Sequence, residues 1–163
     1  MKTLLIVWYS RTGGSRQMAL AAARGARGEA GVRVVRKRAD RATAEDVLAA
    51  DGLIFATPEN LAALAGAMKE FFDRTYYDLL DRSNGKPYAA LICAGSDGAN
   101  AQRQLERIAT GLRLKRVAET LIVNTSAQTP ETIWALKCIP PAELKRCAEI
   151  GAALAAGLSA GIF

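Results

Sequence analysis

Apolar residues gather in short continuous runs of about five, separated by longer stretches in which they recur at helical spacing. The first run, Leu4-Leu5-Ile6-Val7-Trp8, is unbroken, as a strand covered on both faces of a parallel sheet requires. Ser10-Arg11-Thr12-Gly13-Gly14 interrupts it. An alanine-rich helix is then expected from about Ser15 to Arg27, ending near Gly28 and Gly31. Val32 to Lys37 mixes apolar and basic residues, the pattern of an edge strand that discourages further pairing. Thr43-Ala44-Glu45-Asp46 opens a short helical turn, and Gly52-Leu53-Ile54-Phe55-Ala56 reads as the third strand, ending at Thr57-Pro58.

From Leu64 to Leu80, Met68, Phe71, Phe72, Thr75 and Leu79 share one helical face, with Lys69, Glu70, Asp73, Arg74 and Asp78 opposite. Ser83-Asn84-Gly85-Lys86-Pro87 is a turn, and Tyr88 to Cys93 is the fourth strand. A helix from about Ala99 to Leu112 and a fifth strand over Val117 to Val123 follow. A polar connection through Thr125 and Thr132 leads to Pro140-Pro141, which opens a last helix to about Leu158. Five strands alternating with helices predict an α/β architecture: a parallel sheet with helices on both faces, as a single domain over residues 1–163. In such sheets ligands bind beyond the carboxyl ends of the strands. For the order 2-1-3-4-5 the crevice lies between the first and third strands.

Composition narrows the chemistry. The 163 residues are 50% hydrophobic and 23% charged, enough for one buried core. No apolar stretch approaches the roughly 20 residues of a membrane span, and the apolar start lacks a cleavage pattern, so a cytoplasmic protein is expected. Cys93, Cys138 and Cys147 are odd in number and lack C-x-x-C spacing, which suggests neither a disulfide framework nor a metal site. Histidine is absent, so Ser-His and Cys-His nucleophile pairs are excluded and the chemistry falls to a cofactor or to carboxylates. The net charge of +6 is spread over several segments, the pattern of a solvated face, and no nucleic-acid partner is expected.

The turn after the first strand has the makings of a phosphate cradle. Gly13 and Gly14 allow close backbone approach, the hydroxyls of Ser10, Thr12 and Ser15 can donate, and the helix that follows presents free amides and its positive end. The plainer alternative is a strand-to-helix turn capped by Ser15. Other phosphate loops each lack a required residue. No lysine follows Gly13-Gly14-Ser15 as in a Walker A loop, and Arg36-Lys37-Arg38 stands where a dinucleotide fold needs an acidic residue. A response regulator would need acidic residues where Tyr9-Ser10 and Ala56-Thr57 stand, and a phosphotyrosine-phosphatase loop needs a cysteine where Ser10 stands.

Tyr9-Ser10-Arg11-Thr12-Gly13-Gly14-Ser15 resembles the phosphate loop of the flavodoxin-like FMN-binding superfamily. Thr57-Pro58-Glu59-Asn60, with the helix from Leu64 to Arg74, is similar to the segment that lines the isoalloxazine in NAD(P)H-dependent FMN and quinone reductases. That segment often contributes to a dimer there, so a homo-oligomer is among the expectations. The resemblance implies a flavodoxin-like three-layer sandwich with FMN as cofactor. It implies that Ser10, Arg11, Thr12, Gly13, Gly14 and Ser15 hold the phosphate. Pro58, Glu59, Asn60 and Leu61 would border the ring on one side, and Gly95, Ser96 and Asp97 would approach its pyrimidine edge. The catalytic chemistry would belong to the flavin, with NAD(P)H as electron donor and a quinone, another flavin, a small oxidant or a redox protein as acceptor.

Two departures stand out. Electron-carrier flavodoxins are usually acidic and often stack an aromatic side chain on the flavin from each of two loops, whereas this chain is basic and has Leu61 and Asp97 in those loops. Arg11 and Arg16 flank the cradle, where they can neutralise a phosphate, attract a nicotinamide phosphate or simply be solvated. The sequence therefore carries three readings: an FMN-dependent NAD(P)H oxidoreductase, a flavodoxin-type electron carrier without its own hydride-donor site, and a flavin-free binding domain.

Overall fold

A computed structural model describes residues Met1–Phe163. The strands are β1 (Lys2–Trp8), β2 (Val32–Arg38), β3 (Gly52–Asn60), β4 (Ala63–Leu64), β5 (Pro87–Ala94), β6 (Lys115–Arg116) and β7 (Leu121–Asn124). The helices are α1 (Gly14–Ala26), α2 (Ala44–Ala49), α3 (Gly66–Leu79), α4 (Ala99–Gly111), α5 (Pro130–Trp134) and α6 (Pro141–Ser159). The sheet runs β2-β1-β3-β5, with β6 and β7 both beside β5, and all these pairings are parallel. This is the expected flavodoxin-like three-layer fold.

The continuous apolar run of β1 shows why the sheet must be covered twice. Leu4 and Ile6 point into one core with α1 and α6, and Leu5 and Val7 into a second with α2, α3 and α4. All four side chains are buried. The second core is centred on Phe55, whose ring meets Phe72 at 5.2 Å and Tyr88 at 6.0 Å between centroids in tilted arrangements. Trp8 is half-buried against the first core, with the Arg38 guanidinium 5.4 Å from its ring centroid.

Three expectations are corrected. The third strand does not stop at Ala56: it runs on to Asn60 and turns back as a hairpin, with Glu59 opposite Leu64 and Asn60 opposite Ala63. The extension follows from the β5 ladder, which pairs Thr57 with Ile92 and Pro58 with Cys93, so the backbone stays extended past the proline. The helix after it therefore starts at Gly66 rather than Leu64. The fifth strand is broken into β6 and β7. Tyr88 faces Arg116 and Leu91 faces Leu121, so three steps along β5 match five along the neighbouring chain. The Glu106 carboxylate on α4 accepts from Arg116 at 2.7 Å and from Thr120 at 2.8 Å, and these two bonds draw the intervening residues out of the ladder. The polar connection after β7 contains α5, which starts at Thr129-Pro130 with Thr129 accepting the Thr132 N–H at 3.3 Å.

Acidic side chains fasten the edges of these layers. Asp51 accepts the Thr3 N–H at 2.7 Å and the Lys2 ammonium at 3.2 Å. Burial works to raise the Asp51 carboxyl, and those two partners outweigh it, so its pKa lies below the ordinary 3.8. Asp46 is likewise lowered against its burial, by Lys37 and the Thr43 N–H, and Glu106 by Gln102, Thr120 and Arg116. A carboxyl with a depressed folded pKa stabilises the fold fully above its unfolded value, and that stabilisation disappears as pH falls through the folded value. The melting temperature is expected to be flat from about pH 7 to 5 and to drop below about pH 4. Asp51→Asn should lower the plateau and flatten the acid limb; an acid limb of unchanged steepness in that variant would contradict the assignment.

Candidate functional site

The loops at the carboxyl edge of the sheet converge on a cavity of about 430 Å³, within the range of small-molecule sites. Its floor begins where β1 ends. The Tyr9 N–H donates to the Ala56 carbonyl at 3.0 Å, carrying the chain out beside β3, and the Ser10 hydroxyl oxygen accepts the Gly13 N–H at 3.0 Å. Gly13 has φ 91°, a left-handed conformation that glycine adopts without strain, and it forms the N-cap of α1 with no side-chain cap. Ser15 is therefore not the cap. The first helical bond is from the Gln17 N–H to the Gly13 carbonyl at 3.1 Å, so the amides of Gly14, Ser15 and Arg16 have no partner within the helix.

Ser15 is 1% exposed, and its hydroxyl is buried with no hydrogen-bond partner. A buried hydroxyl left unpaired costs roughly 1–3 kcal/mol, so it marks a place where the fold is completed by something else. Together with the free amides, the site has the donor set that suits a dianionic phosphate. Gly14 allows it to lie this deep. A Cβ on Gly14 would collide with the Cys93 sulfur, with Ile139 at 3.4 Å and Lys137 at 3.5 Å as further neighbours. Burial pushes the Cys93 thiol up to about 11, so it lies against the cradle as a neutral apolar group.

The β3–β4 hairpin makes one side of the cavity. Its two connecting residues, Leu61 at φ 50° and Ala62 at φ 57°, both occupy the left-handed region, as a type I′ turn requires and as neither residue type favours. Contacts from α4 hold the turn: the Asn100 amide donates to the Ala62 carbonyl at 2.6 Å, and the Leu64 N–H donates to Gln104 at 2.7 Å. Leu61 is fully exposed at the mouth. One Glu59 oxygen accepts the Gly98 N–H at 2.9 Å, while the other is buried without a partner. On the other side Gly95 and Ser96 form the wall, with the Ser96 carbonyl held by Asn124 at 2.6 Å.

Of the residues singled out in the sequence, Arg11, Thr12, Pro58, Glu59, Asn60, Leu61, Gly95 and Ser96 line the cavity. Ser10, Gly13, Gly14 and Ser15 form the turn and helix start beside it. Asp97 is not part of the wall: it is exposed, and its carboxylate accepts the Ala99 N–H at 3.3 Å. The cavity also recruits Cys93 and Ala94 from the end of β5, and Thr125, Ala127, Ile133, Trp134 and Lys137 from the connection after β7. Thr129-Pro130 and the apolar pair Ile133-Trp134 are the sequence signals in that connection, and only the fold brings them here. The Lys137 N–H donates to the Thr12 carbonyl at 2.8 Å, and the Gln17 side-chain amide donates to the Lys137 carbonyl at 2.6 Å while accepting the Ile139 N–H at 3.1 Å. The Arg11 guanidinium lies 4.6 Å from the centroid of the Trp134 ring. Neither Arg11 nor Arg16 pairs with a carboxylate.

Residues 34–128 match the sequence profile of the NADPH-dependent FMN reductase family. The chain belongs to that family, within the flavodoxin-like FMN-binding superfamily. The match takes in the β3–β4 hairpin and the β5 loop but not the turn from Ser10 to Ser15. A flavodoxin from Aquifex aeolicus is 40% identical over 98 residues, which are 60% of this chain and 53% of that protein. The chain thus spans about half the length of that relative. Among solved structures, a flavodoxin described as a WrbA-like protein from Agrobacterium tumefaciens superposes with a TM-score of 0.77 at 17% identity, covering 97% of this chain and 98% of that one. The flavodiiron protein from Giardia intestinalis superposes with a TM-score of 0.78 at 18% identity, over 98% of this chain and 37% of that one. At such identities the likeness is one of fold. No helix is long and apolar enough to cross a membrane.

Because Gly14 meets the Cys93 sulfur, Gly14→Ala is expected to destabilise the fold by about 1–3 kcal/mol through overpacking. Cys93→Ala should relieve much of that loss when the two are combined. A urea-unfolding double-mutant cycle reads the coupling, and strictly additive losses would show that the sulfur is not the obstacle.

Proposed function

We propose that the chain, acting as a single flavodoxin-like domain, binds FMN in the crevice at the carboxyl edge of its sheet. In this reading it is an FMN-dependent NAD(P)H oxidoreductase that passes electrons to a quinone, another flavin or a comparable small acceptor in the cytoplasm. The observation that carries the reading is the buried, unpartnered Ser15 hydroxyl at the start of α1, beside a cavity of about 430 Å³. The family match supports the reductase assignment.

The residues divide the work by position. Ser10, Thr12, Ser15 and the amides of the first turn of α1 take the phosphate oxygens, while Arg11 and Arg16 supply unpaired positive charge. Ser10 is oriented for this role, since its oxygen accepts the Gly13 N–H and its own proton remains free to donate. Pro58, Glu59, Asn60 and Leu61 border the ring from the hairpin, and Gly95 and Ser96 offer backbone groups to its edge, with Asp97 at the outer end of that loop. The unpartnered Glu59 oxygen can accept a ring N–H. Bound FMN supplies hydride acceptance and electron transfer, and the protein tunes both through the polar groups that meet the ring.

A flavodoxin-type electron carrier is the second reading. It is favoured by the 40% identity to the Aquifex aeolicus flavodoxin and by the fully exposed Leu61 at the mouth, which offers contact to a redox-protein partner.

Removing the cradle hydroxyls with Thr12→Ala and Ser15→Ala should weaken FMN binding by about ten- to a hundredfold, at roughly 1 kcal/mol or more for each charge-assisted bond. Riboflavin, which lacks the phosphate, should be affected little. Fluorescence titration measures both, and equal losses would contradict the cradle. Anaerobic mixing of the FMN-loaded protein with NADH or NADPH separates the two readings: rapid bleaching of the flavin absorbance is expected for the oxidoreductase, and a flavin unchanged by either nucleotide would leave the carrier.

A further inference from the structure

The hairpin and the β5 loop supply only non-aromatic side chains to the crevice. Leu61 is fully exposed, Asp97 turns to the Ala99 N–H, and Pro58, Ala94 and Gly95 carry no aromatic ring. Trp134 is the only aromatic residue in the cavity wall. It comes from α5, a helix of five residues with no buried residue, and Trp134 is 61% exposed. No core packing accounts for it.

The backbone that carries the tryptophan is nevertheless tethered, and a cation covers its ring. The Arg11 guanidinium covers one region of the ring at 4.6 Å from its centroid. The Lys137 ammonium donates to the carbonyls of Thr132 at 2.8 Å, Ile133 at 2.9 Å and Ala135 at 2.7 Å, closing the carboxyl end of α5. The Lys137 backbone is in turn bonded to Thr12 and Gln17, so the phosphate loop and the start of α1 set the position of the whole segment. A large apolar ring at the wall of a cavity, covered by one guanidinium and carried on a tethered backbone without burial to stabilise it, is suited to a planar ligand.

Resting on the FMN reading above, we infer that Trp134 is the platform on which the flavin ring stacks. Arg11 is the positioning residue that orients the indole from the phosphate loop. The aromatic contact missing from the hairpin and the β5 loop is thus supplied by α5, and the phosphate end and the ring end of the site are coupled through one guanidinium.

The test uses the full chain with FMN and riboflavin as probes in equilibrium dialysis. Trp134→Ala should weaken both by tenfold or more, because the ring is common to them, while Trp134→Phe should stay within threefold of the wild type. Arg11→Gln should weaken riboflavin as well, although riboflavin has no phosphate, and should add nothing further in the Trp134→Ala background. Melting temperatures of the variants, expected within a few degrees of the wild type because α5 buries no side chain, keep a folding defect apart. FMN saturation should also quench an emission component present in the wild type and absent from Trp134→Phe. Wild-type flavin affinity in Trp134→Ala, a Trp134→Phe variant as weak as Trp134→Ala, or identical quenching in both proteins would overturn the platform. Additive effects of Arg11→Gln and Trp134→Ala on riboflavin would overturn the positioning role. A wild-type chain that binds neither probe would remove the FMN reading itself, an outcome distinct from flavin binding that is indifferent to Trp134.

Discussion

The close approach of the first turn of α1 to the end of β5 governs the carboxyl edge of this fold. Gly14 leaves no space for a Cβ beside the Cys93 sulfur, and that contact sets how deep the amides of Gly14 and Ser15 lie beneath the cavity. Gln17, one turn further along, donates to the carbonyls of Gly13 and Lys137 and accepts from Ile139. One helix start therefore positions both the turn after β1 and the segment that returns from α5. A shift of α1 by the width of a methyl group would move both together.

The polar groups left unsatisfied are concentrated at the same edge. Ser15 and Glu59 each keep a buried oxygen without a partner, and the Leu61-Ala62 turn occupies backbone conformations that cost free energy in any residue other than glycine, asparagine or aspartate. Away from that edge the one other such atom is Arg36 Nε on the edge strand β2; β1, β3 and β5 are buried almost throughout, and their two cores are filled by aliphatic and aromatic side chains. The hairpin turn and the unpaired oxygens persist at the crevice because the surrounding layers over-determine it. Asn100 and Gln104 on α4 hold the hairpin from outside, so the turn keeps its shape without an intrinsic preference for it.

The charge pattern adds a further distinction. Arg11 and Arg16 flank the turn after β1, while Glu59 and Asp97 stand on the side of the hairpin and the β5 loop. Within the cavity wall itself the cations are Arg11 and Lys137 and the one carboxylate is Glu59.

Much of this was legible in the sequence, for a simple reason. Runs of residues that are apolar at every position can be satisfied only by a sheet covered on both faces, so Leu4 to Trp8, Gly52 to Ala56 and Tyr88 to Cys93 dictate a parallel α/β fold and place its ligand edge. The hydroxyls and glycines from Ser10 to Ser15 likewise mark the turn that the fold sets at the start of α1, beside the cavity. Tertiary structure alone decided that Thr57 to Asn60 stays extended, because the ladder to β5 overrides the breaking tendency of Pro58. It alone divided the fifth strand, through the Glu106 carboxylate on another helix. It also brought Trp134 against Arg11, residues more than a hundred positions apart in the chain. Local pattern determines which surfaces must be buried; contacts between residues distant in sequence determine which side chains meet above the sheet.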